Sequence, residues 1–114
     1  MESTTDHQLT AMTYLRCFST SDIDGLKPLF TKDLIFNGPF HHFTSAEDYL
    51  QGLRDDPPEP CDYRLLSLTE NRDEVVLLYD YLKPQHPVRI AQRFKFRQQR
   101  ISEILLIFDT KEVS

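Results

Sequence analysis

The sequence predicts an α+β fold, with helices kept apart from an antiparallel sheet. Three observations carry this. The first half of the chain holds three helix signals and one short strand. The second half reads as strand throughout. Its four strand-like runs follow one another through short turns, as in a meander. A chain of 114 residues fits one domain, residues 1–114, able to bury a core without metals or disulfides.

The segment "TTDHQLTAMTYLRCFSTS" contains no Gly or Pro, and Thr4, Thr5 or Asp6 can cap it. Ala11, Tyr14, Cys17 and Phe18 share one helical face, which Leu9, Met12 and Leu15 widen. "SDIDGLKPLF" predicts a second, short helix capped by Ser21, with Ile23, Leu26 and Phe30 inward and Pro28 limiting its regularity. "DLIFN" follows as a strand that Gly38-Pro39 ends, because Pro39 has no N–H for a ladder. In "TSAEDYLQGLRDD", Thr44 and Glu47 read as a capping box ahead of Tyr49, Leu50 and Leu53. "DDPPEP" is an extended stop.

"CDYRLLSLTE" and "EVVLLYDYLK" predict a hairpin around Asn71, and "KPQHP" is the next turn. In "VRIAQRFKF", Val88, Ile90, Gln92, Phe94 and Phe96 form one face, and Arg89, Ala91, Arg93, Lys95 and Arg97 the other. "RISEILLIFD" closes the sheet. This last strand and "EVVLLYDYL" are apolar on both faces. One face can pack on helices; a second copy of the chain is the simplest cover for the other, so a homodimer through the sheet is expected.

A formal charge of -5 and a pI of about 5.2 argue against a general nucleic-acid or anionic-membrane binder. A late basic strip (Arg89, Arg93, Lys95, Arg97, Arg100) reads as the outer side of a strand, with Asp62, Asp80 and Glu103 available to pair with it. Cys17 and Cys61 lack CxxC spacing and read as free thiols. The first ten residues lack a signal-peptide pattern, and the apolar runs are too short to span a bilayer. A cytoplasmic protein is expected. His7 and His86 are too scattered to complete a metal site with the others, so neither metal nor cofactor is expected.

Tyr14, "DIDGL" at 22–26, "LF" at 29–30, the run from Asp33 to Pro39 and "RFKF" before a final strand ending in "IF" form a recognisable series. In that order the chain resembles the SnoaL-like and ketosteroid-isomerase-like members of the nuclear transport factor 2-like superfamily, over nearly its whole length. The resemblance implies a cone-shaped, curved antiparallel sheet wrapped around the N-terminal helices (a cystatin-like roll), a deep apolar pocket and often a dimer. The superfamily includes isomerases, cyclases, dehydratases, hydrolases and noncatalytic binders, so fold alone does not assign activity.

Ketosteroid isomerisation needs a carboxylate base and an oxyanion site built from a tyrosine and a protonated aspartic acid. By position the tyrosine falls on Tyr14, the base on Gly38 and the acid on Gln92. Gly38 cannot accept a proton. Gln92 can donate a hydrogen bond but is no acid. Steroid isomerisation is therefore not predicted.

The candidate catalytic residues are Tyr14, His41, His42 and Gln92. Tyr14 and Gln92 can polarise a carbonyl, or simply satisfy each other. His41 or His42 can move a proton from the loop after the first strand, or lie in solvent; on an extended chain at most one faces the pocket. Phe18, Tyr79, Phe94 and Phe108 are the candidate ligand contacts, with core packing the simpler reading of Tyr79. Asp80 lies on the opposite face of its strand and should meet Arg93 or another basic side chain. Asp109, at the end of the last strand, reads as an exposed carboxylate. Three functions fit. One is a binding module for a small apolar or aromatic molecule. The second is an acid/base enzyme of isomerase, cyclase or dehydratase type. The third is a protein-interaction module using the sheet face. A pocket onto which Tyr14, Gln92 and one histidine converge favours the enzyme; one filled by Tyr49, Tyr79, Phe94 and Phe96 leaves only the interaction module.

Overall fold

The computed structural model describes residues 5–113; Thr4, one of the possible caps, lies outside them. Helix α1 spans Asp6–Ser19, and the Thr5 hydroxyl caps it by accepting from the Gln8 N–H at 3.1 Å. Its buried face carries Ala11, Tyr14, Leu15 and Cys17. Leu9 does not join that face and stands 53% exposed.

Ser21 does not cap the second helix. It takes a left-handed φ of 58° and closes α1, its N–H bonding the Phe18 carbonyl at 3.1 Å. Asp22 is the cap of α2 (Ile23–Leu26), its carboxylate accepting from the Gly25 N–H at 3.0 Å. A 3-10 turn through Pro28 (Lys27–Leu29) leads into β1.

β1 spans Phe30–Asn37, three residues longer at its start than "DLIFN". A two-residue strand β2, His42–Phe43, pairs back on it. Helix α3 (Ala46–Asp55) starts one residue later than the sequence suggests: Ser45, rather than Thr44, caps it, accepting from the Asp48 N–H at 3.1 Å. Then come β3 (Tyr63–Asn71), β4 (Glu74–Leu82), β5 (Pro87–Arg97) and β6 (Arg100–Phe108).

The sheet order is β2-β1-β6-β5-β4-β3. The four late strands are the meander the sequence describes. Every pairing is antiparallel except β1 with β6, which is parallel. A long crossover through α3 and the late strands separates those two, and such a crossover is what parallel neighbours need. Register shifts at Phe30/Ile35, Leu65/Ser67 and Lys95/Phe96 act as bulges that bend the sheet into a curved, unclosed wall. The helices lie on the inner side, where Leu15, Leu26, Leu34, Leu77, Phe94, Ile101 and Ile104 are fully buried. The protein thus has the α+β, curved-sheet architecture the sequence predicts.

On the outer side, Asp80 is only 2% exposed and is held by two guanidinium groups, Arg89 at 2.9 Å and Arg64 at 3.1 Å. Arg93, the partner named from sequence, instead binds Glu103 at 3.0 Å, because β5–β6 register sets the two close together. The bonds from Arg89 and then Arg64 hold the Asp80 carboxyl down at about 2. Its unfolded value is about 3.9. The folded pKa is depressed, so the stabilisation is complete above the unfolded value and is lost as pH falls toward 2. Thermal unfolding of the wild type and Asp80→Asn should therefore differ most at neutral pH. The gap should close between about pH 4 and 2. A gap independent of pH would mean that the ion triad contributes nothing.

Candidate functional site

Between the inner face of the sheet and the helices lies a cavity of about 320 Å³. That is the lower end of ordinary small-molecule sites. Its floor comes from α1 (Tyr14, Phe18), α3 (Tyr49, Leu53) and the sheet (Tyr79, Ile90, Gln92, Leu106). Its mouth is rimmed by the β1–β2 turn (Gly38 to His41), the end of α3 (Asp56) and the end of β4 (Lys83). The turn is closed by the Gly38 N–H bonding the His41 carbonyl at 2.9 Å. Gly52 lets α3 approach this rim: a Cβ there would come 3.0 Å from the Phe43 ring.

The walls are mostly apolar, and the polar atoms are concentrated at one place. The Tyr14 and Tyr49 hydroxyls lie 2.6 Å apart. The Tyr79 hydroxyl donates to Gln92 Oε1 at 2.8 Å. Burial pushes the Tyr14 hydroxyl up to about 12, against smaller lowering effects of Tyr49 and then Gln92. Burial likewise holds Tyr49 and Tyr79 well above the ordinary tyrosine value. The Tyr49 bond lowers the pKa of Tyr14, while the same bond raises that of Tyr49. Either hydroxyl of this pair can be the donor, and the one that accepts keeps its own proton for a further acceptor. Gln92 accepts from Tyr79 through its carbonyl, and its NH₂ can donate to the Tyr14 hydroxyl and keep one N–H for a ligand. The interior thus presents donors, and no carboxylate among its lining residues lies deeper than the rim residue Asp56.

Tyr14 and Gln92 both line the cavity, as do Phe18, Tyr79 and Phe108. Phe94 does not: it is fully buried behind Tyr14, in edge contact with that ring at 5.1 Å. It lies on the same inner face of β5 as Gln92, but α1 covers it. Of the two adjacent histidines, His41 is on the rim and packs against Phe43 at 5.9 Å. His42 points away and is hydrogen-bonded to the Asn37 side chain across the β1–β2 pair. Tyr14 and Gln92 do interact, and each also has a tyrosine partner of its own. Asp109 is exposed and outside the cavity. Sequence reasoning passed over Tyr49 as a polar group. The available signal was its place on the inner face of α3 beside Leu50 and Leu53.

Among the described residues, no three His, Cys, Asp or Glu side chains gather as metal ligands, and no helix is long and apolar enough to cross a membrane. Cys17 and Cys61 are both free thiols.

The SnoaL-like domain family matches residues 11–104. No curated protein matches the sequence. Solved structures of the same fold are numerous. An NTF2-like protein of unknown function from Cytophaga hutchinsonii is 18% identical, with 99% of this chain and 98% of that one covered and a TM-score of 0.79. A candidate SnoaL-like polyketide cyclase from Shewanella putrefaciens is 16% identical (98% and 84% covered, TM-score 0.78). An LEH-like epoxide hydrolase from M. tuberculosis is 15% identical (95% and 86% covered, TM-score 0.79). At these identities the likeness is one of fold.

Proposed function

Because this chain belongs to the SnoaL-like domain family, we propose that it binds a small apolar or aromatic molecule carrying a hydrogen-bond acceptor. The carrying observation is the convergence of the Tyr14–Tyr49 and Tyr79–Gln92 pairs on a cavity whose walls are otherwise apolar. A carbonyl oxygen is the natural complement of donors already fixed by their neighbours. Thermal-shift screening with phenols, small aromatic carbonyls and steroids tests this. A ligand at a hundred times its Kd should stabilise by about 2.7 kcal/mol, a rise of several degrees. Tyr14→Phe should weaken binding of carbonyl ligands by about 1 kcal/mol, close to fivefold. No shift with any of the three classes would count decisively against this reading.

The second reading is an enzyme with acid/base chemistry, of isomerase, cyclase or dehydratase type. The position of His41 on the rim favours it, since a histidine near a polarised carbonyl can carry a proton. Catalysis abolished by His41→Ala and kept by His42→Ala would support it.

A homodimer through the outer sheet face accompanies both readings. Ile107 there is 55% exposed and Ile35 is also exposed, beside the half-buried Leu105 and Leu78. Light scattering on a sizing column checks this: a monomer at micromolar concentration would rule it out, and Ile107→Asp should dissociate the dimer. The two free thiols fit a reducing compartment such as the cytoplasm.

A further inference from the structure

Resting on the pocket reading above, we propose that the ligand is an anion: a small aromatic or alicyclic carboxylate. Its apolar body would fill the cavity and its carboxylate would lie at the mouth against Lys83. Lys83 is the first residue past β4, and its N–H turns back to bond the Tyr81 carbonyl at 3.0 Å. The Lys83 ammonium lies over the Tyr81 ring, 5.5 Å from its centre, and both residues line the cavity.

Two features of this corner lack an explanation inside the chain. Among the described residues no carboxylate pairs with Lys83, although Arg64, Arg89, Arg93, Lys95 and Arg97 on the same sheet each have one. The Tyr81 hydroxyl is buried without a hydrogen-bond partner, in a side chain only 5% exposed. A ligand carboxylate supplies what both lack: a counter-charge for the ammonium and an acceptor for an O–H.

The remaining charged and titratable groups of the rim are His41 and Asp56. Asp56 belongs to the end of α3 and forms no ion pair with Lys83 among the described residues. It disfavours an anion on its own side, leaving the Lys83 side as the place for a carboxylate. The interior donors would then serve an acceptor at the far end of the same ligand, or the π-face of its ring.

Calorimetric titration with matched probes tests this: 2-naphthoate against 2-naphthamide, and trans-cinnamate against its amide, at neutral pH and low salt. The acid of each pair should bind the wild type about two- to fivefold more tightly than the amide. In Lys83→Met, which keeps the aliphatic stem, that ratio should fall to near unity. Tyr81→Phe should lower it less. Equal or tighter binding of the amides, or an acid preference that survives in Lys83→Met, would overturn the anion while leaving the pocket in place. No binding of any probe would overturn the pocket and the anion together.

Discussion

Gly38→Asp should introduce the carboxylate base that the wild-type chain lacks at this position, and with it isomerisation of a small unsaturated ketone. The comparison with ketosteroid isomerases puts the missing base at Gly38, and Gly38 lies on the cavity rim. A Cβ built there meets Phe36 Cε1 at 3.1 Å and Leu106 Cδ2 at 3.6 Å. The first contact is tight, so the Phe36 ring, stacked on Tyr49 at 4.6 Å, must give by a few tenths of an ångström. The backbone is not in the left-handed region, so an L side chain fits the local conformation. A carboxylate against apolar walls has a raised pKa and becomes a stronger base. Tyr14 and Gln92 already offer donors to the developing enolate oxygen. A positioned general base contributes about 10²- to 10⁴-fold. Isomerisation of a small β,γ-unsaturated ketone, followed by the absorbance of the conjugated product, should accelerate by that order. Adding Tyr14→Phe should remove most of the gain. If Gly38→Asp binds the ketone but does not accelerate it, the donors and position 38 do not address one bound carbonyl.

Phe94→Ala should be the most damaging single truncation in the core. Phe94 is 0% exposed, its register partners are Val75 and Ile104, and it backs the Tyr14 ring. Emptying such a site costs about 3–5 kcal/mol through lost burial and the cavity left behind. For a domain with about 5–15 kcal/mol in all, this is at least about a fifth. Urea denaturation measures it directly. Tyr14 would also lose its backstop, so carbonyl ligands should bind less well even where the variant stays folded. Phe40→Ala is the contrast: this ring is exposed at the mouth, resting on Phe108, and its loss should change stability by no more than about 0.5 kcal/mol. A cost below about 1 kcal/mol for Phe94→Ala would mean that α1 does not pack on β5 as described.

The strands were legible because alternation survives in single-sequence form. Gln92 stood out as polar on an apolar face, and its side chain lines the cavity. What stayed hidden depends on partners distant in sequence. Nothing local distinguishes Phe94, which faces a helix, from Gln92, two residues earlier on the same face, which faces open space. The parallel contact of β1 with β6 joins two segments more than sixty residues apart and leaves no mark in either. The Tyr49–Tyr14 bond joins two helices that no short motif connects. Cap positions moved by one residue, from Thr44 to Ser45 and from Ser21 to Asp22, because neighbouring hydroxyls and carboxylates compete for the same orphan N–H groups. His41 and His42 could be separated in principle by alternation. Which of the two faced inward required the β1–β2 pairing.

The cavity's floor and its rim belong to different parts of the chain's architecture. Tyr14, Tyr49, Tyr79 and Gln92 sit on elements whose packing is the core itself, so altering them risks the fold. Gly38 to His41 and Lys83 sit in or beside connections, where substitution costs little stability. Ligand preference can therefore drift at the rim while the hydrogen-bonding floor stays constant. A library confined to positions 38–41 and 83–86 should yield mostly folded proteins with altered selectivity, whereas one of equal size aimed at the floor should yield mostly unfolded ones.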